Sequence, residues 1–190
     1  MGRWEPNAQE RLTRAALDLF VDQGYDRTTV AEITERAGLT KRTFFRHFTD
    51  KREVLFLGQE RLTHLFTEAI ATAPPSATPL SAMTAALEAS ATAFGPERRE
   101  FAQQRQAVIT ANDDLREREL LKLATLTESI ADALRARGVA DPTAGLVAEL
   151  GSLAFSTAFT RWLDPSCTDD FAPLAREALK ELQMAAAELA

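Results

Sequence analysis

The feature that most restricts the fold is a three- and four-residue spacing of apolar side chains, cut at short intervals by glycine and proline. Leu12, Ala16, Leu19 and Phe20 show it first, and Gly24 stops it. No segment alternates apolar and polar residues over the length of a strand, so the chain is expected to be all-α. About nine helices are predicted, over residues 7–23, 29–37, 41–48, 50–72, 79–94, 96–111, 113–137, 141–164 and 169–189. Their starts carry local signals. Thr29-Val30-Ala31-Glu32 has the form of a capping box, Asp50 is a good N-cap, and Thr78-Pro79 puts proline in a first turn. A boundary near residue 52 would divide an N-terminal three-helix unit (1–52) from a larger helical one (53–190).

Several function classes are excluded at this level. No apolar run approaches twenty residues, so no membrane span is expected. The opening "MGRWEPNAQE" has no apolar stretch of the secretory kind, and Pro6 stands where N-myristoylation would want Ser or Thr. Cys167 is the single cysteine, which rules out an internal disulfide, and the cytoplasm is the expected location. There is no nucleophile elbow and no phosphate-binding glycine loop, and His47 and His64 are the only histidines. No catalytic residue, metal or cofactor is expected.

The formal net charge of −6 argues against an anionic partner until its distribution is examined. Residues 1–53 carry 10 Lys and Arg against 9 Asp and Glu, whereas residues 54–190 carry 12 against 19. Within "GLTKRTFFRHFTDKREVL" (38–55), residues 38–52 hold five basic residues against Asp50. On a helical wheel Leu39, Phe44 and Phe48 share one side, leaving Lys41, Arg42, Thr43, Phe45, Arg46 and His47 on the other side and the ends. Helices over 29–37 and 41–48 joined by Gly38-Leu39-Thr40 make a helix-turn-helix. Such a helix can enter a major groove, with hydroxyls and helix-terminal amides on the backbone and Lys or Arg on phosphates or guanine. An ordinary solvated basic face fits the same spacing, and an all-α ligand carrier or interaction module with no DNA function remains the competing class.

The wording of the segment goes further. "TTVAEITERAGLTKRTFFRHFTDKREVLF", extended back through "RAALDLFVDQGYDRTTV", closely resembles the DNA-binding segment of the tetracycline-repressor (TetR) family. Gly24-Tyr25, Thr28-Thr29, Ala37-Gly38, Arg46-His47-Phe48 and Lys51 all fall in register over about residues 8–57. The resemblance implies a one-component bacterial transcription factor, usually a repressor. It would bind a palindromic operator in double-stranded DNA as a homodimer and be released by a small-molecule effector. It further implies that Thr29 and Thr40 touch phosphates at the starts of two helices. Lys41, Arg42 and Thr43 would face bases or backbone, and His47 and Lys51 would clamp phosphates. The sequence departs from a common family pattern at Phe45, where many members have a tyrosine hydroxyl on DNA, and at Arg42, where glycine is frequent. Ligand would act by shifting the helix over 50–72.

In the C-terminal part the helix over 141–164 is apolar nearly all round, as a helix buried on several sides would be. In the last helix Phe171, Ala175, Ala178, Leu182, Ala185 and Leu189 follow a 4-3-4-3-4 spacing. Ordinary packing within the chain serves that spacing too. The family resemblance implies that these two helices pair across a two-fold axis, with Leu153 and Trp162 contributing. A pocket would be apolar with one or two polar groups. The residues that could line one are Phe66, Met83, Leu87, Phe94, Phe101, Arg105, Ile109, Leu126, Phe155 and Phe159, each of which plain core packing also explains. The stretch "QRQAVITANDDLRERELLKLATLTESIADALRARGVADP" is similar to actinobacterial TetR regulators that bind acyl-CoA-like ligands. This resemblance implies a long apolar ligand whose anionic head meets Arg105, Arg98 or Arg99.

Overall fold

A computed structural model describes residues 8–188, and among these there are nine α-helices and no strand. They are α1 (Ala8–Gln23), α2 (Val30–Arg36), α3 (Lys41–His47), α4 (Gln59–Thr72), α5 (Pro79–Ser90), α6 (Arg99–Thr110), α7 (Asp113–Ala136), α8 (Thr143–Leu163) and α9 (Phe171–Ala187). Short 3-10 turns stand at Arg52–Phe56, Ala91–Ala93 and Pro96–Arg98. No helix among the described residues is long and apolar enough to cross a membrane.

The single helix expected over 50–72 is not formed. Asp50 does cap, its Oδ1 accepting from the backbone N–H of Arg52 (2.8 Å) and Glu53 (3.3 Å), but what it starts is the 3-10 turn Arg52–Phe56. Gly58 then follows, and α4 begins afresh at Gln59. Glycine is about 1 kcal/mol poorer than alanine inside a helix, which makes this a cheap place to interrupt the ladder. Burial supplies the rest of the reason. Val54, Leu55 and Phe56, three consecutive apolar residues, are all buried, which one face of a regular helix could not achieve.

By its packing the chain forms two compact units. The first comprises residues up to Gly58 together with Phe101–Leu120; the second comprises Gln59–Glu100 and residues from Leu121 onward. In the first unit the apolar stripe of α1 (Leu12, Ala16, Leu19, Phe20) meets Ile33 and Ala37, Phe44 and Phe48, and the buried turn 54–56. Val108 and Ile109 of α6 and Leu115 of α7 complete this core. One ion pair and one hydrogen bond tie the added segment to the turn: Arg118 Nε donates to Glu53 Oε1, and Arg105 Nε donates to the Leu55 carbonyl at 2.6 Å, while Arg105 Nη1 lies 3.4 Å from Glu119 within the segment itself.

In the second unit α8 and α9 pack along one another, and α5 lies against α4, α8 and α9. The sequence explains how α5 approaches α8 so closely: a Cβ on Gly151 would overlap the buried Met83 side chain. One guanidinium gathers carbonyls at the end of α4 and just past it. Arg137 donates to the carbonyl of Ile70 (2.9 Å) in the last turn and to those of Ala73 (2.7 Å) and Pro74 (2.9 Å) beyond it.

Candidate functional site

The site of the first unit is built from two capped helices and the turn between them. Thr29 adopts an extended backbone and caps α2, its hydroxyl accepting from Glu32 N–H at 3.3 Å. Glu32 returns the contact through Oε2, which accepts from Thr29 N–H at 2.8 Å and from its hydroxyl at 2.7 Å. The capping box read from the sequence is therefore present, and the hydrogen bonds from Thr29 hold the Glu32 carboxyl below its usual range.

At the other end of α2 the chain leaves through Gly38 at φ +63. Gly38 N–H donates to the Glu35 carbonyl (3.0 Å) and Leu39 N–H to that of Thr34 (2.8 Å), the two bonds of a Schellman cap, and only glycine adopts such a φ without strain. Arg11 of α1 closes the turn by donating Nη2 to the Ala37 carbonyl at 2.6 Å. Thr40 then caps α3 by accepting from Thr43 N–H at 3.1 Å.

On α3 the wheel separates as expected. Phe44 and Phe48 are buried and Leu39 packs on the same core, while Lys41, Arg42, Phe45 and Arg46 are exposed and Thr43 and His47 half-exposed. Phe45 is 57 % exposed and stands edge-on to Phe44, with ring centroids 5.4 Å apart. Thr29 and Thr40 are both exposed at their helix starts, where N–H groups and the helix dipole favour an anion.

Lys51 is placed differently from the α3 cations. It is half-buried, and its Nζ donates to the carbonyls of Tyr25 (2.7 Å) and Thr28 (3.0 Å) and lies 4.0 Å from the Tyr25 ring centroid. Burial holds this ammonium below the usual lysine value, with Asp26 pulling the other way. Burial likewise pushes the Tyr25 hydroxyl up to about 12. Neither the Lys51 tie nor the Arg11 bond could be read from the sequence, since each joins residues 23 to 26 positions apart with no local motif between them.

The residues proposed for a pocket are not all in one unit. Phe101, Arg105 and Ile109 belong to the first unit, where Ile109 is buried, Phe101 packs on that core and the Arg105 guanidinium lies over Phe56. Phe66, Met83, Leu87, Phe94, Leu126, Phe155 and Phe159 belong to the second. There Phe94 is the hub of an aromatic cluster, with ring centroids 4.3 Å from Phe171, 5.6 Å from Phe159 and Trp162, and 5.7 Å from Phe155. Phe66 joins through Phe155 at 5.7 Å. Arg99, a candidate for an anionic head group, donates to the carbonyls of Cys167 and Asp169 and lies over Trp162. Arg98 is exposed beside Glu97.

Of the residues assigned to a dimer face, Trp162, Phe171, Ala175 and Ala178 are buried in the second unit's own core. Leu182 is half-buried, Leu153 and Ala185 are exposed, and Leu189 lies outside the described residues. The exposed large apolar residues on these two helices are Leu146 and Leu153 of α8, two turns apart on one face, and Met184 of α9. Among the described residues no group of three or more His, Cys, Asp and Glu side chains is placed to hold a metal ion.

Residues 12–56 match the family described as bacterial regulatory proteins, tetR family. The transcriptional regulator TcmR of Streptomyces glaucescens is 41% identical over 81 residues, which are 43% of this chain; the chain spans about a third (36%) of TcmR's own length. Two solved structures share the fold over nearly the whole chain. Thermus thermophilus FadR, a repressor seen in complex with lauroyl-CoA, is 22% identical over 92% of this chain and 93% of its own, with a TM-score of 0.57. A regulator from Syntrophomonas wolfei is 15% identical over 95% of both chains, with a TM-score of 0.64. Residues 12–56 are thus similar to the tetR family of bacterial regulatory proteins, and the whole chain shares the all-helical fold of these two regulators.

Proposed function

We propose that the chain is a cytoplasmic one-component transcriptional repressor that binds a palindromic operator as a homodimer and releases it when a small apolar or amphipathic molecule binds. The observation that carries the reading is the exposed face of α3, where Lys41, Arg42, Arg46 and the Phe45 ring follow the capped helix start at Thr40 in a chain of net charge −6. Cations held outward there serve an anionic partner, and the two N-caps supply amides for phosphates. Thr29 and Thr40 would fix register on the backbone, Lys41, Arg42 and Thr43 would reach base edges or phosphates, and Arg46 and His47 would hold the flanking strand. Phe45 has no hydroxyl to donate, and a thymine methyl is the partner that suits it.

Dimerisation would use the apolar residues left open on α8, Leu146 and Leu153, together with Met184 and Ala185 exposed on α9 and the half-buried Leu182. Two copies of α3 would then lie about 34–36 Å apart, one helical turn of DNA, in successive major grooves. An effector that favours the DNA-incompetent arrangement by about 2 kcal/mol would weaken binding some thirtyfold. The aromatic cluster around Phe94 is the surface we assign to the effector's apolar part. The lauroyl-CoA held by FadR makes a long-chain acyl-CoA the first compound to try.

Fluorescence anisotropy tests this on DNA taken from upstream of the chain's own gene, against scrambled DNA, at two salt concentrations. Sequence-dependent binding with a steep salt slope is expected, and acyl-CoA should release it. Absence of binding to either DNA at low salt would favour a ligand carrier with no DNA function.

A further inference from the structure

At about 100° per residue, α3 turns a definite side away from its core. Phe44 is fully buried, and taking it as the inward direction puts Arg42 and Arg46 each about 20° from the point directly opposite. Lys41 and His47 fall about 60° to either side of Phe44, and Thr43 and Phe45 lie between the two pairs. A helix lodged in a major groove turns the side opposite its core to the base edges and its flanks to the phosphate walls. The two outward arginines differ. Arg46 Nη2 lies 3.4 Å from His47 Nε2, so its guanidinium leans to the His47 flank. Among the described residues Arg42 has no hydrogen-bond or ion-pair partner, and no Asp or Glu occurs between Gly38 and Thr49. Arg52, Arg116 and Arg176 are exposed too, yet each leans on a carboxylate: Asp50 at 3.1 Å, Asp113 at 2.8 Å and Glu88 at 3.1 Å. In a chain with 28 acidic residues against 22 Lys and Arg, a guanidinium left without a carboxylate is free to meet an acceptor from outside.

We propose that Arg42 is a specificity-determining residue: its guanidinium reads one guanine in each half-site of the operator, donating two parallel hydrogen bonds to O6 and N7 in the major groove. The inference rests on the DNA-binding function proposed above; it assigns a base to Arg42 and the backbone to Lys41, Arg46 and His47. Guanine is the base whose major-groove edge offers two acceptors side by side, the pattern that a planar fork of N–H donors fits. Adenine sets a donor beside its one acceptor and would leave half of the fork unpaired. The exposed Phe45 ring stands three residues on, a neighbour on the helix surface, and is braced edge-on against Phe44 with centroids 5.4 Å apart. Its apolar edge excludes water from the contact, and a charged hydrogen bond is stronger where water is excluded.

The full chain can be made to choose its own DNA. Wild-type protein selects duplexes from a random library, and the selection is repeated with Arg42→Ala. The wild type should select a guanine at one position of each half-site, and Arg42→Ala should accept any base there. In the selected duplex that guanine is then replaced by 7-deazaguanine, which pairs normally and lacks the N7 acceptor. Wild-type affinity, read by anisotropy, should fall about tenfold for each half-site so changed, and Arg42→Ala should bind both duplexes alike. Lys41→Ala should weaken all sequences equally, as loss of a phosphate partner does. A selected site in which no guanine is sensitive to the replacement would overturn the proposal, as would a guanine preference that survives in Arg42→Ala. The 7-deazaguanine measurement on wild-type protein needs no variant, so a misfolded Arg42→Ala leaves it decisive. A wild-type chain that selects no sequence fails the functional reading and the inference with it. One that selects a site without such a guanine keeps the reading and sinks the inference alone.

Discussion

The recognition-position helix α3 and the α4–α5–α8–α9 unit place their cations differently. On α3, Lys41, Arg42 and Arg46 are exposed. In the second unit Arg99 and Arg137 turn to backbone carbonyls, closing the chain around Cys167 and Asp169 and ending α4. The same residue types thus stand outward on α3 and complete the fold in the second unit. A guanidinium that satisfies carbonyls is part of the architecture, and its removal leaves acceptors unpaired. An exposed one can be removed at little structural cost.

The comparison can be broken by exchanging the two kinds of loss. The largest effect is expected from Lys41→Ala with Arg42→Ala: about a hundredfold weaker DNA binding or more, at 1–3 kcal/mol per base contact, with no change in the denaturation midpoint. Loss of stability in that variant would place these cations with the structural ones. Arg99→Met should do the reverse, lowering the unfolding free energy by about 2 kcal/mol in urea denaturation and leaving operator affinity intact below the midpoint. Gly38→Ala is a sharper probe of the turn. It forces alanine to φ +63 and brings its Cβ to 3.1 Å from Arg11 Nη2, so about 1–2 kcal/mol of stability should be lost from the first unit. The smallest expected effect tests the Phe45 ring. Replacing operator thymines by uracil removes only a methyl group, so affinity should fall about fourfold if one methyl is buried against it. The variant Phe45→Ala should no longer distinguish the two DNAs, and if it still does, the methyl is read elsewhere.

Legibility differed between the regions for a physical reason. The first unit's elements are short and announced by local chemistry: Thr29 with Glu32, Thr40 with Thr43, Gly38 after Ala37. A cap is satisfied within four residues, so sequence order and spatial neighbourhood coincide. The second unit offered one such start, Thr78 ahead of Pro79, and otherwise periodicity. The 4-3-4-3-4 spacing of α9 is real, and it turns Phe171, Ala175 and Ala178 into the unit's own core. Apolar spacing states that a face is buried without stating by what.

The same limit governed the helix expected over 50–72. Asp50 is a proper cap, and nothing in its neighbourhood announced that Val54, Leu55 and Phe56 would all be buried in a tighter turn. That turn is held by residues far along the chain, Arg105 and Arg118, whose segment joins the first unit's core.

The sequence by itself determined the all-helical class, the capped helix-turn-helix, and the separation of α3 into a buried phenylalanine side and a cationic side, because helical periodicity and capping are local. Only the tertiary structure decided which cations remain outside. Lys51, Arg99 and Arg105 have the composition of ligand contacts, and each binds a backbone carbonyl. Their partners lie 23 to 70 positions away, and no local pattern encodes a hydrogen bond made across that distance.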